Sequence, residues 1–150
     1  MTEITLEEIK KIELDILSYV SDFCNNNNIK YYLWGGTLLG AIRHGGFIPW
    51  DDDIDIAMPR SDFELFLSKF DSENYGVSYC GIDCNHPYWH AKVYHKNTQK
   101  VEPIYYKGDF SIGIDIDVFV LDSYEKDQDV INTVKWREQQ RTNYWRSLRP

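Results

Sequence analysis

Apolar and polar positions recur with two different periods along the chain, and each change of period marks an element. Leu6, Ile9, Ile12, Ile16, Val20 and Phe23 follow one another at three- and four-residue steps, the spacing of one helical face. Thr5 and Glu8 form the pattern of a capping box ahead of that stripe, and the Asn run at 25–28 suits the left-handed turn that ends a helix. A short strand is expected at 30–34, leading into Gly35-Gly36, and a short helix at 37–43 with Leu38, Leu39 and Ile42 as its apolar positions. Residues 44–50 read as a loop punctuated by Gly45, Gly46 and Pro49. The period then drops to two. In a strand at 53–58, Ile54, Ile56 and Met58 fall on one face and Asp53 and Asp55 on the other.

Pro59 and Ser61 open a helix with the stripe Phe63, Leu67 and Phe70. Strands are expected at 75–80, 91–96 and 101–106. The strictest alternation lies at 112–120, where Ile112, Ile114, Ile116, Val118 and Val120 oppose Asp115, Asp117 and Phe119. A long helix is expected over 125–148. The pattern describes one domain, residues 1–150, of α/β (α+β) class: a small mixed sheet with helices packed against it, without repeats or an interdomain linker.

Composition sharpens this in a few places. At 150 residues with 43% hydrophobic and 15% aromatic content, the chain has material for a real core. Most of its Tyr and Trp residues are expected to be core filler, Trp50 as packing for its loop rather than a face for a cation, and Tyr88-Trp89 as core rather than cleft. The net charge of −8 argues against general nucleic-acid binding. The charge is uneven: Lys135, Arg137, Arg141, Arg146 and Arg149 face Glu138 alone, so the last sixteen residues carry +4 and the rest −12. That end is either a solvated helix face or an arm for an anionic partner. No apolar run approaches the ~18 residues of a membrane span, and the first residues lack the basic start and apolar stretch of a signal peptide. Three cysteines then suit reduced thiols in a cytoplasmic protein.

The two acidic strands carry the chemistry. If they are neighbours, Asp53, Asp55 and Asp117 come together, and Asp115 is a further candidate. Carboxylates so close raise one another's pKa, and a divalent cation removes that cost. Ligands that are all oxygen favour Mg²⁺ or Mn²⁺ over zinc. The turn at Gly35-Gly36 followed by a helix start offers backbone N–H groups to a phosphate. Cation, carboxylates and phosphate together describe phosphoryl transfer. Cys80, Cys84, His86 and His90 could hold zinc by residue type, but the spacing fits no standard zinc site and buried cysteines with loop histidines are the preferred reading.

The run at 36–56, Gly-Thr-Leu-Leu-Gly-Ala-Ile-Arg-His-Gly-Gly-Phe-Ile-Pro-Trp-Asp-Asp-Asp-Ile-Asp-Ile, closely resembles the signature of the LicD family, which includes bacterial phosphocholine transferases and relatives of fukutin. That family belongs to the nucleotidyltransferase-fold superfamily, whose pattern is a hydrophobic residue before Gly-Gly, an Asp-x-Asp strand and a third acidic residue on another strand. Here these are Trp34-Gly35-Gly36, Asp53 with Asp55, and Asp117. The run 116–122, Ile-Asp-Val-Phe-Val-Leu-Asp, is similar to the family's later strand with Val120 where Pro is common, and 91–98, Ala-Lys-Val-Tyr-His-Lys-Asn-Thr, is similar to another. The resemblance covers about residues 5–122.

The resemblance implies transfer of a phosphorylated alcohol, such as phosphocholine from CDP-choline or another CDP-alcohol, to a hydroxyl of a glycan, a teichoic acid or a lipopolysaccharide precursor. Such an acceptor would bring the protein to the inner membrane face. Asp53 and Asp55 would bind the metal, and Asp117 would complete the site and assist as base. Gly35, Gly36 and Thr37 would hold phosphate, with Arg43 offsetting its charge and Lys92 a weaker partner. Family members are commonly longer, so the chain is either a minimal member or a C-terminally shortened one. A nucleotidyltransferase acting on a protein or small molecule, and a nucleotide-binding module without turnover, are the alternatives.

Overall fold

A computed structural model of the chain describes residues 4–83, 85–104, 108–123, 131–132 and 135. The helix expected over 125–148 and the basic run within it lie almost wholly outside the described residues.

The capping box forms as the sequence predicts: Thr5 Oγ1 accepts from the Glu8 amide, and Glu8 Oε2 accepts from the Thr5 amide at 2.8 Å. It starts α1 (Leu6–Asn27), which ends on Asn28 in the left-handed conformation, φ 55°. Next come β1 (Tyr32–Leu33), α2 (Gly35–His44), β2 (Asp55–Pro59), α3 (Arg60–Lys69), β3 (Tyr75–Ser78), β4 (Ala91–His95), β5 (Lys100–Ile104), β6 (Gly108–Ile112) and β7 (Asp115–Leu121). Five strands form one mixed sheet in the order β1-β2-β7-β4-β3, and β5 and β6 form a separate hairpin. Only β2 and β7 pair in parallel within the larger sheet; its other neighbours are antiparallel.

The core fills one face of this sheet. Ile56 and Met58 of β2, Val93 of β4 and Ile116 and Val118 of β7 join Ile16, Val20 and Cys24 of α1 and Phe63 and Phe66 of α3. The phenyl rings of Phe23, Phe66 and Phe70 meet edge to face or tilted at 4.7–5.5 Å, which adds to the burial of apolar area. Strand alternation sends Asp55, Asp117 and Lys92, which are register partners across β2, β7 and β4, to the other face.

Several expectations need correction. The strand expected at 112–120 is two strands in two sheets, broken at Gly113 and Ile114. A Cβ at Gly113 would run into the carbonyl oxygen of His95, so the chain crosses there at backbone contact. The Ile114 amide turns aside to Thr98 Oγ1 at 2.8 Å. Perfect alternation across such a crossing does not reveal it. The strand expected at 30–34 shrinks to two residues, because the Lys30 amide is taken by Asp62 Oδ1 at 2.7 Å. The helix expected from Thr37 begins at Gly35, so both glycines belong to its first turn. β2 begins at Asp55, which leaves Asp53 just ahead of the strand.

The aromatic expectation also fails in part. Phe63 and Phe66 are core, but Trp34, Trp50 and Trp89, the tryptophans among the described residues, are exposed. Trp50 is 80% exposed and does not pack its loop, and Trp89 is 67% exposed rather than core. Leu38, Leu39 and Ile42 of α2 are likewise exposed. In α1 the inner face includes charge: Lys10 and Glu13 are buried, while Leu6 is exposed.

Candidate active site

The parallel pairing of β2 and β7 sets Asp55 directly opposite Asp117, and the ladder extends back one residue where the Asp117 amide donates to the Ile54 carbonyl at 2.8 Å. The two acidic strands are thus neighbours, as the carboxylate pattern requires. Asp53 stands just outside the strand end, next to both.

The start of α2 is fitted to these carboxylates. Gly35 has φ +51°, and a Cβ there would lie 2.6 Å from Asp55 Oδ2; one on Gly36 would lie 2.5 Å from Asp51 Oδ2. Only glycine lets both carboxylates approach the helix's first turn, where unpaired N–H groups and the helix dipole favour negative charge. Thr37 Oγ1 accepts from the Asp55 amide at 2.8 Å, which locks the helix start to the strand start. Arg43, in contrast, lies in the exposed last turn of α2, about 10 Å along the axis from Gly36.

Beside the strands opens a cavity of about 260 Å³. Asp52, Asp53, Asp115 and Asp117 supply its acidic lining, Lys92 and Lys100 its basic lining, and Tyr88 and His90 its aromatic wall. Lys92 is neither solvated nor a simple surface cation. It is buried, with Nζ 2.6 Å from Asp115 Oδ2 and 2.7 Å from Asp117 Oδ1. Burial alone would discharge it, but the two carboxylates outweigh burial and hold its pKa above the ordinary lysine value. Lys100 reaches the other oxygen of Asp115 at 3.2 Å. Asp115, whose role the sequence leaves open, is therefore the buried joint between two lysines.

His90 Nε2 approaches Asp117 Oδ2 to 3.2 Å, within ion-pair reach but off the line of a hydrogen bond, so both ring nitrogens are buried without a hydrogen-bond partner. Burial would raise the pKa of Asp117; His90 and Lys92 together outweigh it and hold the carboxyl below its usual range. Asp55 goes the other way. Burial first, then Asp53 and Asp117, push it up to about 6. Asp53 is raised by burial and by Asp51 and Asp52. Half-buried carboxyls whose ionisation is opposed first by burial and then by neighbouring carboxylates are the condition a divalent cation relieves. The carboxylate oxygens of Asp51, Asp52 and Asp53 lie within 4.8 Å of one another, an all-oxygen donor set suited to a hard cation; among the described residues the expected set of Asp53, Asp55 and Asp117 is not gathered that closely.

His86 donates and accepts entirely within the protein, with Nδ1 2.7 Å from Ser78 Oγ and Nε2 2.7 Å from the His90 carbonyl oxygen. Cys80 is exposed, and Cys84 lies outside the described residues. Two residues escape the sequence reading of the site. One is His90, passed over as a loop histidine. The other is Glu13, although 13, 16, 20 and 24 form a helical step pattern that puts a charge on the buried face of α1.

A family model described as LicD/FKTN/FKRP, nucleotidyltransferase domain, matches residues 28–148. The chain belongs to the LicD/FKTN/FKRP family. Among similar proteins, the lipopolysaccharide cholinephosphotransferase LicD of Haemophilus influenzae is 47% identical over 75 residues, half of this chain and 28% of that protein. An uncharacterized protein of Rickettsia typhi is 33% identical over 111 residues, 67% of this chain and 35% of that one. The human ribitol 5-phosphate transferase FKRP is 46% identical over 44 residues, 29% of this chain and 9% of that protein. The matches thus span about a third or less of each relative. The helix start, the Asp-x-Asp strand and β4 with β7 all fall inside the region assigned to the LicD/FKTN/FKRP domain.

Proposed function

We propose that the chain is the catalytic core of a metal-dependent phosphotransferase, moving a phosphorylated alcohol of phosphocholine type from a CDP-alcohol to a hydroxyl of a cell-surface glycan. The observation that carries this reading is the parallel register of Asp55 with Asp117, with the glycine start of α2 against Asp55. The names of two relatives, a lipopolysaccharide cholinephosphotransferase and a ribitol 5-phosphate transferase, support the transferred group. A lipid-borne glycan precursor would draw the protein to the cytoplasmic face of a membrane. No helix among the described residues is long and apolar enough to cross one.

In this reaction the acceptor oxygen bonds to the alcohol-bearing phosphorus, the pyrophosphate bridge breaks and CMP leaves. Asp53 and Asp55 would hold Mg²⁺ or Mn²⁺, with Asp117 completing the site; there the carboxylates would be neutralised and the donor phosphate polarised. Asp117, kept ionised by Lys92 and His90, accepts the hydrogen bond of the incoming hydroxyl and takes its proton. Gly35, Gly36 and Thr37 present backbone N–H groups to the donor phosphate. Lys92 balances the charge of Asp115 and Asp117 beneath the site.

Thermal-shift titration with CDP-choline, CDP-ribitol and nucleoside triphosphates, with and without Mg²⁺ or Mn²⁺, tests the reading, because ligands that bind the folded state raise its melting temperature. A metal-dependent shift with CDP-alcohols is expected, lost in Asp53→Ala and Asp55→Ala without loss of basal stability. A response to triphosphates alone would point to nucleotidyl transfer, and full metal response in either variant would sink the two-carboxylate mechanism.

A further inference from the structure

The phosphates of the proposed donor still lack a cationic side chain. Arg43 stands in the last turn of α2, away from Gly35 and Gly36. The ammonium of Lys92 is held between Asp115 and Asp117, with 6% of its side chain exposed. Lys100 is placed differently. It opens β5 opposite Ile112 of β6, so it belongs to the hairpin rather than to the main sheet. It lines the same cavity as Asp52, Asp53 and Asp117. Its side chain is 38% exposed, whereas that of Asp115, which it meets at 3.2 Å, is 2% exposed. The stem of the hairpin fixes its backbone. Thr98 Oγ1 donates to the His95 carbonyl oxygen at 2.9 Å and accepts from the Ile114 amide at 2.8 Å, and Gln99 Nε2 donates to Ser111 Oγ at 3.2 Å. The two residues before Lys100 are thus tied to the end of β4, to the approach to β7 and to β6.

The charges of the cavity give this lysine a task. Asp115 meets Lys92 at 2.6 Å and so is paired even without Lys100. The influence of Lys100 extends past Asp115: burial and the neighbouring aspartates raise the Asp53 carboxyl, and Lys100 opposes them. An ammonium carries three donors, so a contact with Asp115 is compatible with one to a phosphate oxygen. With the carboxylates balanced by a divalent ion, a cation on the hairpin side is what remains to meet the phosphates and the charge that develops as one of them departs. Resting on the phosphotransferase reading above, we propose that Lys100, rather than Lys92 or Arg43, binds the diphosphate of the donor and neutralises the charge that CMP gains as the pyrophosphate bridge breaks.

The test compares wild type, Lys100→Gln and Lys100→Arg by calorimetry, for Mn²⁺ alone and for CDP-choline with Mn²⁺ present. Lys100 is partly exposed and the stem has its own hydrogen bonds, so both variants should fold. Lys100→Gln is expected to weaken CDP-choline by about ten-fold, the order of one charge-assisted hydrogen bond. Lys100→Arg, which keeps the charge, should stay within about three-fold of wild type. Mn²⁺ affinity should be the same in all three proteins. Added salt should weaken CDP-choline binding more in wild type than in Lys100→Gln, because screening acts on the charge that the variant lacks. Unchanged CDP-choline affinity in Lys100→Gln, an equal loss in Lys100→Arg, or a matching loss of Mn²⁺ affinity would confine the lysine to its contact with Asp115. Each of these would overturn the proposal and leave the phosphotransferase reading standing. A wild type that binds no CDP-alcohol would overturn both.

Discussion

Glu13 makes a quantitative prediction. Its side chain is 1% exposed on the inner face of α1, and Oε2 has no hydrogen-bond partner. Burial drives its carboxyl up to about 8; Lys100 pulls it down, and Asp115, Asp53 and Asp52 push it further up. The folded protein therefore holds this proton more tightly than the unfolded chain, where the group titrates near 4.5. Stability linked to Glu13 is fully present below about pH 4.5, is lost as pH rises toward 8, and levels off above that. At about 1.4 kcal/mol per pH unit the loss reaches at most about 3 kcal/mol by pH 7. Glu13→Gln keeps the shape and stays neutral at every pH. Melting curves of both proteins at pH 5, 6, 7 and 8 isolate the effect, because the remaining titrations are shared. The variant should match wild type near pH 5 and exceed it by about 6–12 °C near pH 7, taking about 2–4 °C per kcal/mol for a domain of this size. Parallel curves, or a wild type that gains on the variant as pH rises, would refute the reasoning.

Two further substitutions separate architecture from chemistry. Asp115 is almost wholly buried between Lys92 and Lys100, whereas Asp117 keeps a fifth of its side chain exposed at the cavity. Asp115→Asn should cost about 3 kcal/mol of stability, measured by urea denaturation, since it breaks a buried ion-pair network. Asp117→Asn should instead lower transfer activity by about a hundred-fold or more with a smaller stability change; the opposite ranking in paired melting and transfer assays would reverse their roles. Gly35→Ala should lower stability by about 1–2 kcal/mol through its left-handed backbone and also weaken Mn²⁺ binding by displacing Asp55. Gly36→Ala, whose backbone carries no such strain, should act only through Asp51, and equal effects of the two would count against this geometry.

What the sequence made legible was whatever repeats locally. The period of α1, its capping box and its Asn stop are short-range properties, and they appear as expected. The pairing of the two acidic strands was also legible, because aliphatic residues on one face and aspartates on the other leave few arrangements that bury the first and gather the second. The crossing at Gly113 was hidden, because a strand that changes sheets keeps its alternation. Lys92 was misjudged for a related reason: a lysine in a strand reads as solvated until its neighbours across the sheet are known, and these are Asp117 by register and Asp115 next to it. Trp89 reads as core and Trp50 as packing for its loop by residue type, and no local pattern reports that either ring is exposed.

The hairpin of β5 and β6 leaves the main sheet after Thr98 and returns at Ile114, and Lys100 and Asp115 fasten its two ends together at 3.2 Å. The clasp sits between the hairpin and the strand that carries Asp117, so exchanges along β5 and β6 leave Asp55 and Asp117 in register.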